Sequence, residues 1–287
     1  MSLVLALLLQ VGPDPTTGAI AGEPDELVNR PPRAAASIEA PLDPVSEWLR
    51  GCLEQVVADP ARAHAQAQIR RGETFGEQRV IANHCLGVAA TELGLWDDAR
   101  AAFLAARDET PPHETRTRAR FGAMAGNAAL AGGDPESALL LLTAAEADAR
   151  AAASASLEAL AALDRGRALV AMDRPEEALA ALRDATRLAP TSGEAWLLEA
   201  TLLRRMERLD EAQTAIERAV ELAPMDGEVG LEAGVIAVLS GREDAARESW
   251  ESVIATQPDS LAAQTARDYL AQLPSPVDNG PEEEPQQ

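Results

Sequence analysis

Residues 193–226 read GEAWLLEATLLRRMERLDEAQTAIERAVELAPMD, from Gly193 to Asp226. Trp196, Leu197, Ala200 and Leu203 recur at three- and four-residue steps, the spacing of one face of a helix. Arg208, Leu209 and Asp210 interrupt that face, and Ala212, Ile216, Ala219 and Val220 begin a second. Pro224 ends the second helix, because proline has no N–H to donate and constrains the residue before it. The stretch therefore predicts two antiparallel helices joined by short turns.

The same unit recurs along the chain. Pro190, Pro224 and Pro258 are spaced by 34 residues twice in succession, and Ala178, Ala212 and Ala246 keep the same offset before them. A fixed period of this length means stacked copies of one small unit, none of which can bury its apolar face alone. The predicted fold class is all-α, an α-solenoid of stacked antiparallel helix pairs, with helix breaks near Pro111, Pro190, Pro224 and Pro258.

The pattern resembles the tetratricopeptide repeat. That family places a bulky residue at position 4, small residues at 8 and 20, a bulky or aromatic residue at 24, alanine at 27 and proline at 32. Here these are Trp196, Ala200, Ala212, Ile216, Ala219 and Pro224. The next copy supplies Gly234, Ala246, Trp250, Val253 and Pro258, and departs at position 4 with Gly230. The copy before supplies Gly166, Leu169, Ala178, Leu182, Ala185 and Pro190, with Ala162 at position 4. Short side chains at 8 and 20 let the two helices of a copy approach closely. The resemblance implies a right-handed superhelix.

Towards the N-terminus the copies stretch. Gly126 and Ala138 keep the internal spacing, but Ala138 and Ala178 lie 40 apart, so extra helical residues are expected between Ala147 and Leu157. Gly87, Ala99, Phe103, Ala106 and Pro111 mark an earlier copy, and Gly51 with Ala63 a degenerate one. The expected organisation is a signal peptide at 1–21, a proline-rich linker at 22–44 and a solenoid at 45–273. Within the solenoid come a degenerate pair at 45–71, five repeats over about 78–258 and a capping helix at 259–273. An acidic tail expected to be disordered follows at 274–287.

Composition narrows the function. All 25 basic residues are arginine, which excludes a lysine Schiff base and a phosphate loop ending in Gly-Lys-Ser/Thr. The net charge of −22 opposes binding to nucleic acid and to anionic lipid. The three histidines, His64, His84 and His113, form no H-x-x-x-H pair, so no metal site is expected. His84 is read as lying on a helix surface while Cys85 packs inward. The acidic pairs Asp97–Asp98 and Glu176–Glu177 open second helices, where negative charge complements the helix dipole. No nucleophile–base constellation, catalytic residue or cofactor site is read from the sequence.

The run from Leu3 to Leu9 is too short to span a bilayer as a helix. It resembles the apolar part of a secretory signal, with Ala19-Ile20-Ala21 as a cleavage pattern. The expectation is a periplasmic or secreted protein with no stable membrane span. The alternative is a cytoplasmic chain whose N-terminal helix packs on the solenoid. Cys52 and Cys85, the only cysteines, fall on first helices of neighbouring copies. They read either as a disulfide or as two small buried residues.

In tetratricopeptide proteins the first helices line a concave groove that holds peptides or partner helices. Carried over copy by copy, the groove positions include His84, Arg120, Ala123, Asn127, Arg167, Glu194, Leu197, Thr201, Arg204 and Arg205. Arg120, Asn127, Arg167, Arg204 and Arg205 are the expected partner-binding donors, suited to an acidic peptide or a terminal carboxylate. A carboxylate clamp of the chaperone-tail kind relies on lysines, which this chain lacks. The expected function is a non-enzymatic scaffold binding a protein or extended peptide in a bacterial cell envelope. The alternative is an accessory subunit for envelope assembly, in cytochrome maturation or in outer-membrane or cell-division complexes. An enzyme is the third class.

Overall fold

The computed structural model describes residues 44–274. The expected signal peptide and the linker up to residue 43 lie outside them, as does the acidic tail from residue 275. The described residues form helices and turns with no β-strand.

The helices follow as pairs: α1 (Pro44–Ala58) with α2 (Pro60–Glu73), α3 (Glu77–Glu92) with α4 (Trp96–Glu109), and α5 (Thr115–Ala131) with α6 (Pro135–Ala151). Then come α7 (Ala155–Ala171) with α8 (Pro175–Leu188), α9 (Gly193–Arg205) with α10 (Leu209–Leu222), and α11 (Gly227–Leu239) with α12 (Glu243–Thr256). A single helix, α13 (Leu261–Leu270), packs on α11 and α12. Each helix packs on its chain neighbour. First helices also touch across pairs, α1 on α3, α5 on α7 and α9 on α11. This is an all-α solenoid.

Local chemistry sets the helix ends. Asp59 and Asp134 cap α2 and α6 by accepting from the backbone N–H of Arg62 and Ser137, each followed by proline in the first turn. Ser192, Asp226 and Ser260 cap α9, α11 and α13 in the same way. The turns inside the last five pairs share one closure. An N–H bonds back to the carbonyl five residues earlier: Leu95 to Ala90, Asp134 to Ala129, Arg174 to Leu169, Arg208 to Leu203 and Arg242 to Ala237. The residue before each donor takes a left-handed backbone. Three of these are glycines, Gly94, Gly133 and Gly241, and the other two are Asp173 and Glu207. This turn occupies Met206–Arg208, so α10 begins at Leu209, inside the interruption read from the sequence.

The stretched copy has a physical cause. α8, α10 and α12 end two residues before a proline, whereas α6 meets none and runs for 17 residues to Ala151. It closes instead with Ala153 at φ 49° and a bond from Ser154 N–H to Ala149 O.

The core of each pair forms where a small residue on the first helix receives a large side chain from the second. A Cβ on Gly126 would lie 2.6 Å from Leu142 Cγ, and one on Gly166 would lie 2.8 Å from Leu182 Cδ2. Gly87 meets Phe103 and Gly234 meets Trp250 in the same relation. Ala200 and Ile216 repeat it with alanine, both fully buried. These residues join clusters that run from pair to pair, the largest linking Leu169 and Leu182 through Leu203 and Ile216 to Val229 and Ile236. Burying an aliphatic side chain of this size contributes about 1.5–3 kcal/mol, so stacking rather than any single pair holds the array together.

Candidate functional site

The first helices carry the residues expected to meet a partner. Asn127, on α5, donates from Nδ2 to Oδ2 of Asp164 on α7 at 2.8 Å. Arg167 donates to Oδ1 of the same Asp164 at 2.7 Å and reaches on to Glu194 of α9. Arg204 of α9 holds Glu232 of α11 through two hydrogen bonds, at 2.6 and 3.2 Å. Three of the five expected donors therefore join one first helix to the next. Their acceptors matter as much as they do, because Asp164 is only 8 % exposed and would be costly to bury without those bonds.

The second helices carry ties of their own. Arg107 of α4 bonds Asp148 of α6 at 2.7 Å, and Arg183 of α8 bonds Glu211 of α10 at 2.6 Å. Inside the stack, Glu146 accepts from Arg165, and buried Glu199 accepts from the Thr186 hydroxyl at 3.0 Å.

Arg120 and Arg205 differ from the other three. Both are exposed, and neither has an ion pair or hydrogen bond among the described residues. Arg120 borders a cavity of about 580 Å³ between α3, α5 and α7, walled by Phe121, Met124, Leu157 and Leu160. Leu160 is 52 % exposed there. The one carboxylate on this wall is Asp164, already held by Asn127 and Arg167. A second cavity of about 360 Å³, walled by Val88, Trp96 and Phe103, shares Met124 and Asn127 with the first. Arg205 borders two cavities, of about 190 and 300 Å³, between α7, α8 and α9. There Asp173 and Glu176 stand beside it.

His84 lies deeper than the surface position read from the sequence. It is half-buried, with its ring edge-on to Phe121 of α5 at 5.3 Å between centroids. Burial holds its pKa below the ordinary imidazole value, so the ring in this wall is neutral near pH 7. Cys85 is fully buried and Cys52 nearly so; the structure brings their sulfurs to bonding distance, with Cα atoms 6.3 Å apart. That geometry lies within the range a disulfide needs.

Leu160, Met124 and Asp164 were not among the expected partner residues. The Arg167–Asp164 spacing of three was visible, but the pairing of Asn127 with a residue 37 positions away had no local signal. Among the described residues no group of three metal-binding side chains occurs, and no helix is long and apolar enough to cross a membrane.

Residues 169–233 match the tetratricopeptide repeat family model. No curated protein matches the sequence. Among solved structures, the chain is similar to PilW, described as a widely conserved type IV pilus biogenesis factor, at a TM-score of 0.62 and 18% identity. That alignment covers 79% of this chain and 100% of PilW. PilF of Pseudomonas aeruginosa aligns at a TM-score of 0.59 and 14% identity, over 78% of this chain and 97% of its own. A double mutant of MamA RS-1 aligns at 0.51 and 16% identity, over 62% of this chain and 94% of its own. At these identities the likeness is one of fold.

Proposed function

We propose that this tetratricopeptide-repeat chain is a non-enzymatic scaffold that holds an extended segment of a partner protein along its row of first helices. The observation that carries the reading is the contrast among five polar donors on that row. Three lock the helices to one another. Two, Arg120 and Arg205, remain exposed without a partner and stand over open cavities with apolar walls. Unpaired guanidinium groups beside exposed leucine suit recognition better than internal stability.

We place the protein in a bacterial cell envelope. The support is the apolar run Leu3–Leu9 followed by Ala19-Ile20-Ala21, and the juxtaposition of Cys52 with Cys85, which suits an oxidising compartment. A role as an accessory subunit in envelope assembly is the second reading. The fold likeness to a pilus biogenesis factor is the observation that prompts it.

Site-specific photo-crosslinking in the native host tests the scaffold reading. A photoreactive residue at Ala123, on a first helix, is expected to capture a protein that one at Leu140, on a second helix, does not. Crosslinks confined to second helices would reject the reading. Intact-mass measurement on native protein tests export: cleavage after Ala21 is expected, and full-length cytoplasmic protein would reject it.

A further inference from the structure

The cavity beside Arg120 combines three properties that specify its occupant more closely. Its walls are apolar, with Phe121, Met124, Leu157 and Leu160 turned to it and Leu160 half exposed. Its one carboxylate is already bonded twice, and its imidazole is half-buried against Phe121. Besides the Thr117 hydroxyl, its remaining polar group is the free guanidinium of Arg120. In a chain of net charge −22 the one unpaired charge in this lining is positive, and a guanidinium pairs best with a carboxylate. The second cavity continues past Met124 and Asn127 towards Val88 and Trp96, so the apolar floor runs on beyond the first. A floor open in that direction suits a chain passing through rather than one that stops.

We infer that the cavity between α3, α5 and α7 and the adjoining one between α3, α4 and α5 take an internal segment of an extended acidic peptide, with an Asp or Glu side chain on Arg120 and aliphatic side chains beside it in the two cavities. This inference rests on the groove reading above and names the chemistry of its partner. Alternate side chains of an extended segment point to the same side, so an acid flanked by aliphatics can meet a polar rim and an apolar floor together. The overall negative charge repels such a peptide at distance while Arg120 attracts it on contact. Affinity therefore holds or rises as salt screens the repulsion.

A phage-displayed library of random twelve-residue peptides, selected on the full-length protein, tests this directly. Enriched peptides are expected to share an acid with neighbouring aliphatics. Synthesised with an amidated C-terminus, they should bind in fluorescence anisotropy and weaken about tenfold or more when the acid becomes its amide. Arg120→Gln and Leu160→Ser should each weaken them similarly, whereas Leu140→Ser on α6 should not. Both altered residues are exposed, so unchanged melting curves are expected to accompany the loss. No enrichment, enrichment of basic peptides, or a requirement for a free C-terminal carboxylate would overturn the inference. Binding untouched by Arg120→Gln and Leu160→Ser would also overturn it. If such peptides instead lost affinity on Arg205→Gln, the groove reading would stand while this cavity was excluded; crosslinks confined to second helices would remove both.

Discussion

Asp164 on α7 accepts a 2.8 Å hydrogen bond from Asn127 on α5, a residue of the face expected to bind a partner. With the bonds from Arg167 to Asp164 and Glu194, and from Arg204 to Glu232, it makes a polar seam joining α5, α7, α9 and α11. A groove in a stacked array keeps its curvature only if neighbouring repeats keep their angle. Groups read as ligand donors therefore tie neighbouring repeats to one another.

The seam should show as energetic coupling between helices. Asn127→Ala and Asp164→Ala are expected to couple by about 0.5–3 kcal/mol in a double-mutant cycle read by urea unfolding. Additive effects would mean that the bond contributes nothing to the stack.

The glycine–aromatic contact in the last pair predicts an overpacking cost. A methyl group on Gly234 would overlap the Trp250 indole, whose N–H bonds Leu231 O at 3.2 Å and so resists rotation. Gly234→Ala should cost about 1–3 kcal/mol. Gly51→Ala, where a Cβ meets nothing within 4 Å, should raise the melting temperature instead. Ala212→Leu, at a fully buried crossing, should behave like Gly234→Ala.

Glu207 occupies a left-handed turn position at φ 60°, where the equivalent turns have Gly94, Gly133 and Gly241. A side chain there costs about 1–2 kcal/mol, partly offset by the entropy that glycine loses. Glu207→Gly should therefore stabilise the protein by up to about 1 kcal/mol, seen as a higher melting temperature.

Cys52 and Cys85 are expected to be bonded in protein isolated from the native host. Without reductant, neither should be alkylated by iodoacetamide in denaturant, as read by mass spectrometry. The double change Cys52→Ser with Cys85→Ser should cost about 2–4 kcal/mol, mostly through the unfolded chain.

His84 sets a pH dependence. Its folded pKa lies below its unfolded value because burial disfavours the charged ring. Below the ordinary imidazole pKa the unfolded chain binds the extra proton more readily, so stability falls as pH drops through that range and is flat above it. His84→Gln should lessen the loss of melting temperature between neutral and mildly acidic pH; an unchanged profile would show that the ring is free to charge in place.

The repeat and its fold were legible because they depend on short-range pattern. The 34-residue spacing of Pro190, Pro224 and Pro258 and the apolar steps of Trp196 to Leu203 are properties of neighbouring residues, and helices form from neighbouring residues. The resemblance of positions 4, 8, 20 and 24 to one family then implied stacking, and the pairs Gly166–Leu182 and Gly234–Trp250 show how those positions meet. The division of the polar donors had no such pattern. Asn127 and Asp164 are 37 residues apart, Arg167 and Glu194 are 27, and Arg204 and Glu232 are 28. Which of them meet depends on the rotation from one repeat to the next and on rotamers set by packing, and neither is written in a local spacing. By itself the sequence determined that helices would pair and stack. Only the tertiary structure decided that Asn127, Arg167 and Arg204 hold the array together while Arg120 and Arg205 stay free, because that follows from the distance between side chains on different repeats.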